Sequence, residues 1–83
     1  MSERILGEIV NERDLQDRQW GGPEHDDQHG MMDWLNYIQK QSNQATALLC
    51  HQEPGGPEQY RERMVKIAAL AVAAIESYDR KLK

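Results

Sequence analysis

The chain has 83 residues, a formal net charge of −4 and 29% charged residues. This acidic balance argues against DNA or RNA as a partner, because neutralising a phosphate backbone needs a clustered basic face. One cysteine allows no internal disulfide. Met1–Arg4 shows no signal-peptide pattern, and no segment reaches the about 20 apolar residues of a membrane span. We therefore expect a single soluble domain, residues 1–83, in the cytoplasm.

A first helix is predicted over residues 3–19. Ser2 is a suitable N-cap because its hydroxyl can accept a hydrogen bond from a free backbone N–H of the first turn. Apolar residues recur on one side at three- to four-residue spacing, namely Ile5, Leu6, Ile9 and Val10. The two glycines and the proline of residues 21–23 then interrupt the pattern, so the helix is expected to stop before them.

The second and third predicted helices cover residues 31–50 and 57–82. The second is indicated by apolar residues at near-heptad spacing, which are Met31, Leu35, Ile38, Ala45 and Leu49. Pro57 suits the first position of the third helix, where its missing N–H is not needed, and Glu58 is favourable near the positive end. Strand patterns are nearly absent. The fold is therefore expected to be all-α, with three helices.

The third helix is the longest and is rich in alanine. Residues 67–75 are apolar on every side, so an exposed face would be costly in a monomer. The alanines allow neighbouring helices to approach closely, and three helices of this length can cover only part of such a rod. We therefore expect a helical-bundle homo-oligomer formed through this helix. Arg80, Lys81 and Lys83 would complement the helix dipole at its C-terminal end.

Residues 12–34 concentrate acids, two histidines, two arginines and both tryptophans, and we expect the functional site there. His25 and His29 are four residues apart, so both imidazoles share a face if the segment coils. Imidazoles with nearby carboxylates could bind Mg²⁺, Mn²⁺, Zn²⁺ or Fe²⁺. The alternative is a solvated loop in which Asp26 or Asp27 caps the second helix.

The same segment suits a nucleotide, because a base can stack on an indole face and arginines can contact phosphate oxygens. One alternative is that either tryptophan, Trp20 or Trp34, simply packs in the core. Another is that charged side chains form ion pairs between helices, such as Glu12 with Lys66 and Asp17 with Arg63. The candidate ligand-binding residues are Arg13, Asp17, Arg18, Trp20, His25, His29 and Trp34.

Several motifs, covering most of the chain, carry a family resemblance. They are Glu12-Arg13, Gln16-Asp17, Trp20-Gly21-Gly22, His25-Asp26-Asp27-x-His29, Asp33-Trp34 and the segment 66–80. In these motifs the chain resembles small phage and prophage proteins usually described as MazG-like. The resemblance implies a tie to the all-α NTP pyrophosphohydrolases, helical dimers or tetramers in which Mg²⁺ held by carboxylates binds the triphosphate and activates water.

That superfamily carries E-E-x-x-E on a first helix and E-x-x-D on a later one. Here Glu76-Ser-Tyr-Asp79 fits the second motif, while Glu8 and Glu12 are the first-helix acids at a useful spacing. The resemblance thus implies these four acids as Mg²⁺ ligands if the chain is an enzyme. The doubled glutamate is absent, which favours binding without turnover.

Three hypotheses follow. The first is a phage protein that binds a phosphorylated nucleotide or a nucleotide-derived immune signal in pockets between subunits and sequesters it in the host bacterial cytoplasm, without a cofactor. The second is a Mg²⁺-dependent nucleoside triphosphate pyrophosphohydrolase. The third is a helical protein that blocks a host factor through its acidic surface. Recovery of an intact ligand after denaturation would distinguish the first hypothesis from the second.

Overall fold

The computed structural model describes residues 2–81. Four helices and no strand occur in this range: α1 (Glu3–Trp20), α2 (Pro23–Asp26), α3 (Met31–Cys50) and α4 (Gly56–Lys81). The all-α expectation is confirmed, and the described ends of the three long helices agree with the predicted bounds to within one residue. The predicted end of the last helix at Leu82, and the dipole contact expected of Lys83, lie outside the described residues.

The short helix α2 is a fourth element that the sequence did not predict. α1 ends where Gly21 adopts a left-handed conformation, with φ of 100°, and its N–H donates to the Asp17 carbonyl at 2.9 Å. Gly22 also has a positive φ, 72°, and Pro23 opens the new helix. Only glycine adopts such φ values readily, so this pair ends α1 and allows α2 to start directly after it.

α3 begins with a different cap from the one we expected. Gly30 is the N-cap, and its N–H donates to the Asp33 carboxylate at 2.8 Å. The expectation that Asp26 or Asp27 caps this helix is wrong, because both lie before Gly30 and contact α4 or α1 instead. Asp33 near the positive end of the helix is also favourable for the dipole.

α4 lies at the centre of the fold and contacts all three other helices. Its residues Ala69, Ala73 and Ser77, each one turn apart, are at most 1% exposed. Small side chains at this spacing let α3 and α1 approach the α4 backbone closely. One face of α4 stays open, however, because Val72 and Ile75 are exposed.

None of the helices in residues 2–81 combines the length and apolar character needed to cross a bilayer. Trp34 and Ala45 of α3 complete the set of buried hydrophobic residues in this range. The core is therefore a narrow seam between α3 and α4, and it leaves room for a cavity beside it.

Candidate functional site

A cavity of about 380 Å³ lies where the four helices meet. Its lining combines aromatic rings, amides and charged groups, namely Glu12, Gln16, Gln19, Trp20, His25, Asp26, His29, Trp34, Tyr37, Lys40, Gln41, Lys66, Leu70 and Ala73. This volume lies near the lower end of the about 300–1,000 Å³ range that is typical of small-molecule sites. Eight of the fourteen lining residues belong to the segment 12–34 that the sequence singled out, and the other six come from later parts of α3 and from α4.

Aromatic rings form a continuous row along the cavity. The Trp20 ring stacks on His25 with centroids 6.1 Å apart, and His29 meets Trp34 and Tyr37 edge to face at 5.3 and 5.2 Å. Trp20 is 61% exposed, whereas Trp34 is only 7% exposed. Trp34 therefore packs mainly in the core, as the structural alternative proposed, while Trp20 retains accessible ring surface beside the cavity.

The turn that contains α2 brings the two histidines together. The His29 N–H donates to the Asp26 carbonyl at 3.1 Å, which continues the coil beyond α2. Residues four apart on a helical turn share a face. The Nε2 atoms of His25 and His29 accordingly lie 3.1 Å apart. The expectation that the imidazoles share a face is confirmed.

Asp27 attaches this turn to the C-terminal end of α4. Arg80 donates from Nη2 to Asp27 Oδ1 at 2.8 Å and from Nε to Oδ2 at 3.1 Å. Ser77 Oγ donates to Asp27 Oδ1 at 3.1 Å, and Lys81 donates to the His29 carbonyl at 2.6 Å. The hydrogen bonds from Arg80 above all, and the one from Ser77, lower the pKa of the Asp27 carboxyl. The two segments that carried the resemblance around His25 and Glu76 therefore contact each other.

Arg13 connects three carboxylates instead of reaching the cavity. Its Nη2 lies 3.5 Å from Asp26, 3.4 Å from Glu76 and 3.3 Å from Asp17 Oδ1. The Asp17 contact has the distance of an ion pair but not the angle of a hydrogen bond, since this buried oxygen has no hydrogen-bond partner within residues 2–81. We regard it as a charge interaction. Arg18 bonds its own helix at the Asp14 carbonyl, 3.4 Å away.

Four of the seven candidate ligand-binding residues line the cavity, and three do not. The lining residues are Trp20, His25, His29 and Trp34. Arg13, Asp17 and Arg18 are absent from the lining. The cations near the cavity are instead Lys40 of α3 and Lys66 of α4.

The two lysines differ in whether they form an ion pair. Lys66 contacts Glu12 at 3.0 Å, which confirms that predicted ion pair. Lys40 has no ion-pair partner within residues 2–81. The predicted pair of Asp17 with Arg63 is wrong, because Arg63 donates to the Gln41 side chain at 2.9 Å.

The four acids proposed as Mg²⁺ ligands are dispersed. Glu8 pairs with Arg61, whose hydrogen bonds lower its pKa, while Glu12 pairs with Lys66 and Glu76 with Arg13. Asp79 is exposed on α4. Across the described part of the chain, no group of three or more histidine, cysteine, aspartate or glutamate residues could hold a metal ion. The acids of one chain therefore do not fit the Mg²⁺ site that the resemblance implies.

Sequence reasoning missed most of the α3 wall. Tyr37 and Gln41 follow Trp34 by three and seven residues, so all three lie on one face of α3 and line the cavity. Lys40 completes this wall. The spacing from Trp34 predicts which residues share its face of α3, but the sequence does not indicate that this face lines a cavity.

Comparison with protein-family models, with curated proteins and with solved structures finds no match to this chain. The class that the structure defines is thus an all-α helical protein with a cavity lined by aromatic rings.

Proposed function

We propose that the cavity binds a phosphorylated nucleotide-type small molecule and does not hydrolyse it. The observation that carries this proposal is the cavity of about 380 Å³ itself, which is lined by the exposed Trp20 and by Lys40. Lys40 has no ion-pair partner in the described part of the chain. Base–aromatic stacking is typically worth about 1–3 kcal/mol. A lysine ammonium supplies a point charge for a phosphate oxygen. The two features together match the two ends of a nucleotide.

The charges of the lining favour a ligand with few phosphates. Glu12 offsets Lys66 at 3.0 Å, and Arg13 contacts Asp26 from outside the cavity at 3.5 Å. Lys40 is then the single lining lysine or arginine without an ion pair in residues 2–81. One cation does not balance a triphosphate. We therefore expect a nucleoside monophosphate or a phosphodiester to bind more tightly than the corresponding triphosphate.

The ion pairs of the candidate metal-binding acids support binding without turnover. Metal-assisted hydrolysis needs carboxylates that converge on a Mg²⁺ ion. Glu8, Glu12 and Glu76 each contact a different cation instead. A carboxylate that is already paired with arginine or lysine would have to give up that interaction to bind a metal ion. The pyrophosphohydrolase alternative therefore has no supporting observation within one chain.

We also propose that the protein assembles as a homo-oligomer. The chain exposes 6107 Å², whereas a monomer of 9.6 kDa typically exposes about 5,100 Å². The excess of about 1,000 Å² is comparable with the about 800 Å² that each partner buries in a standard interface. Val72 and Ile75 place exposed apolar surface on α4, and Val10 does so on α1. These faces are available for a second copy of the chain.

Size-exclusion chromatography with light scattering tests the assembly. Ile75→Glu should shift the protein towards the monomer, because a buried, unpaired carboxylate at an interface is unfavourable. Leu49→Glu changes a similarly exposed apolar residue on α3 and serves as the matched control. A wild type that is monomeric at micromolar concentration would contradict the proposal.

The biological setting follows from the resemblance alone. The resemblance supports the proposal that this is a phage protein that sequesters a nucleotide-derived immune signal in the bacterial cytoplasm. Binding without turnover would be sufficient to remove such a signal. Stoichiometric capture removes a signal in proportion to the amount of protein. The relevant quantity is therefore the fraction of ligand bound, not a catalytic rate.

The binding experiment uses a mixed pool of nucleoside monophosphates, triphosphates, cyclic dinucleotides and ADP-ribose derivatives. The pool is incubated with the protein, filtered, and chromatographed before and after heat denaturation, with Mg²⁺ and with EDTA. We expect at least one species to disappear and to return intact on heating in both conditions. Conversion to monophosphate and pyrophosphate only with Mg²⁺ would instead support the enzyme alternative, and no binding at all would refute the proposal.

Matched variants assign the binding to this cavity. Trp20→Leu should weaken binding by about 5- to 150-fold, the equivalent of losing one stacked base, whereas Tyr60→Leu changes an exposed aromatic residue that does not line the cavity. Lys40→Gln should weaken binding of phosphorylated ligands, whereas Arg18→Gln should not. Equal losses in the cavity variants and their controls would contradict this location.

A further inference from the structure

We propose that His25 and His29 together bind a divalent transition-metal ion, such as Zn²⁺, through their Nε2 atoms. This inference does not depend on nucleotide binding, because it concerns the ion and the two imidazoles alone. Both histidines line the cavity, so the remaining coordination positions of the ion would face the cavity. The site differs from the carboxylate site that the resemblance implies in both its residues and its metal.

The separation of the two nitrogens suits one shared ion. The Nε2 atoms are 3.1 Å apart. With metal–nitrogen bonds of about 2.0–2.1 Å, this separation corresponds to an angle of about 95–102° at the metal. That angle lies between the right angle of square-planar or octahedral coordination and the about 109° of a tetrahedron.

The ring positions agree with the same geometry. Two imidazoles that both point at a metal ion from this distance would have ring centroids about 4.8 Å apart, and the observed distance is 4.7 Å. A linear N–H···N hydrogen bond of the same length would place the centroids about 5.4 Å apart. The observed centroid distance is therefore compatible with two imidazoles that share one ion. Without an ion, the two nitrogens lie at hydrogen-bond distance from each other.

The donor atoms select the type of metal. Neutral imidazole suits Zn²⁺, Cu²⁺ and Ni²⁺, whereas Mg²⁺ prefers oxygen ligands and keeps its waters. The two acids between the histidines in sequence already have ion-pair partners, Asp27 with Arg80 and Asp26 with Arg13. A third ligand would therefore be water or an anionic group of a bound molecule. A metal ion here would add positive charge to a cavity in which Lys40 alone lacks an ion pair within residues 2–81.

The scaffold holds both histidines in place before any ion arrives. Lys81 donates to the His29 carbonyl at 2.6 Å, and Asp27, between the two histidines, is held by Arg80 and Ser77. Stacking on Trp20 positions the His25 ring, and edge contacts to Trp34 and Tyr37 position the His29 ring. Fixing ligand side chains in advance reduces the ordering cost of binding.

Isothermal titration calorimetry of the full-length protein with ZnCl₂, and separately with MgCl₂, tests this inference. We expect one Zn²⁺ per chain and no measurable Mg²⁺ binding. His25→Gln and His29→Gln each remove one ligand of the ion. Altering only the groups that surround a metal ligand typically lowers metal affinity about 10- to 100-fold, so each substitution should lower the zinc affinity by at least that factor. His51→Gln is the matched control, because His51 is exposed after α3 and does not line the cavity.

A second measurement on the wild type does not depend on how the variants fold. In ¹⁵N spectra of the imidazole groups, Zn²⁺ should shift the Nε2 signals of His25 and His29 and leave those of His51 unchanged. Zinc binding that persists in both variants, or that is lost equally in His51→Gln, would overturn the assignment. So would an unchanged spectrum. Nucleotide binding in EDTA would be unaffected by such a failure, so the two proposals fail separately.

Discussion

The same substitution at the two tryptophans should separate folding from binding. Trp34 is 7% exposed in the seam between α3 and α4, whereas Trp20 is 61% exposed beside the cavity. Truncating a buried tryptophan to alanine typically costs about 3–5 kcal/mol. Trp20 buries less than half as much of its side chain, so its truncation should cost about 1–2 kcal/mol on the same scale. Ligand affinity should instead fall more in Trp20→Ala than in Trp34→Ala.

Urea denaturation followed by circular dichroism measures the free energy of unfolding of Trp34→Ala and Trp20→Ala. For a domain of this size each 1 kcal/mol corresponds to about 4–8 °C in Tm, so Trp34→Ala should melt at least about 12 °C below the wild type. Trp20→Ala should remain folded and lose nucleotide affinity. Equal destabilisation by the two variants would refute the assignment of Trp34 to the core and Trp20 to the site.

Three further substitutions test the packing and the charges. Ala69→Leu at a fully buried position of α4 should destabilise the protein by about 1–3 kcal/mol, whereas Ala47→Leu at an exposed position of α3 should be nearly neutral in the same urea titration. Ser77→Ala removes the hydrogen bond to Asp27 and should cost about 1–2 kcal/mol of unfolding free energy; an unchanged midpoint would contradict this contact. Glu8→Gln should flatten the acid side of the stability–pH curve. Because Arg61 lowers the Glu8 pKa below 4.5, the pair stabilises the fold above that pH and loses its effect as pH falls through the lowered value; parallel curves would refute this pair.

The helices could be predicted from the sequence because their signals are local. Residues 31–50 carry a period that fits a helix over five turns, and glycine pairs with a proline separate the long helices. The helix α2 has four residues, too few to show any period. It forms because Gly22 and Pro23 start a turn, and hydrogen bonds from α4 to Asp27 then hold this turn in place.

The sequence predicts the segment in which the site lies but not the role of each residue in it. Composition indicated residues 12–34, and four of the candidates from that segment line the cavity. The role of Arg13 depends on Glu76, 63 residues away, and no local pattern reports such a contact. An arginine beside tryptophans and histidines in sequence fits a phosphate ligand equally well. Only the fold shows that its guanidinium faces carboxylates.

The attachment of α2 to α4 also sets an order of events during synthesis. Asp27 is held by Ser77 and Arg80, which follow it by 50 and 53 residues. The histidine turn gains these hydrogen bonds only after the last turns of α4 have emerged from the ribosome. A chain interrupted before Ser77 would therefore carry every residue that lines the cavity and still lack the contacts that hold two of them in place.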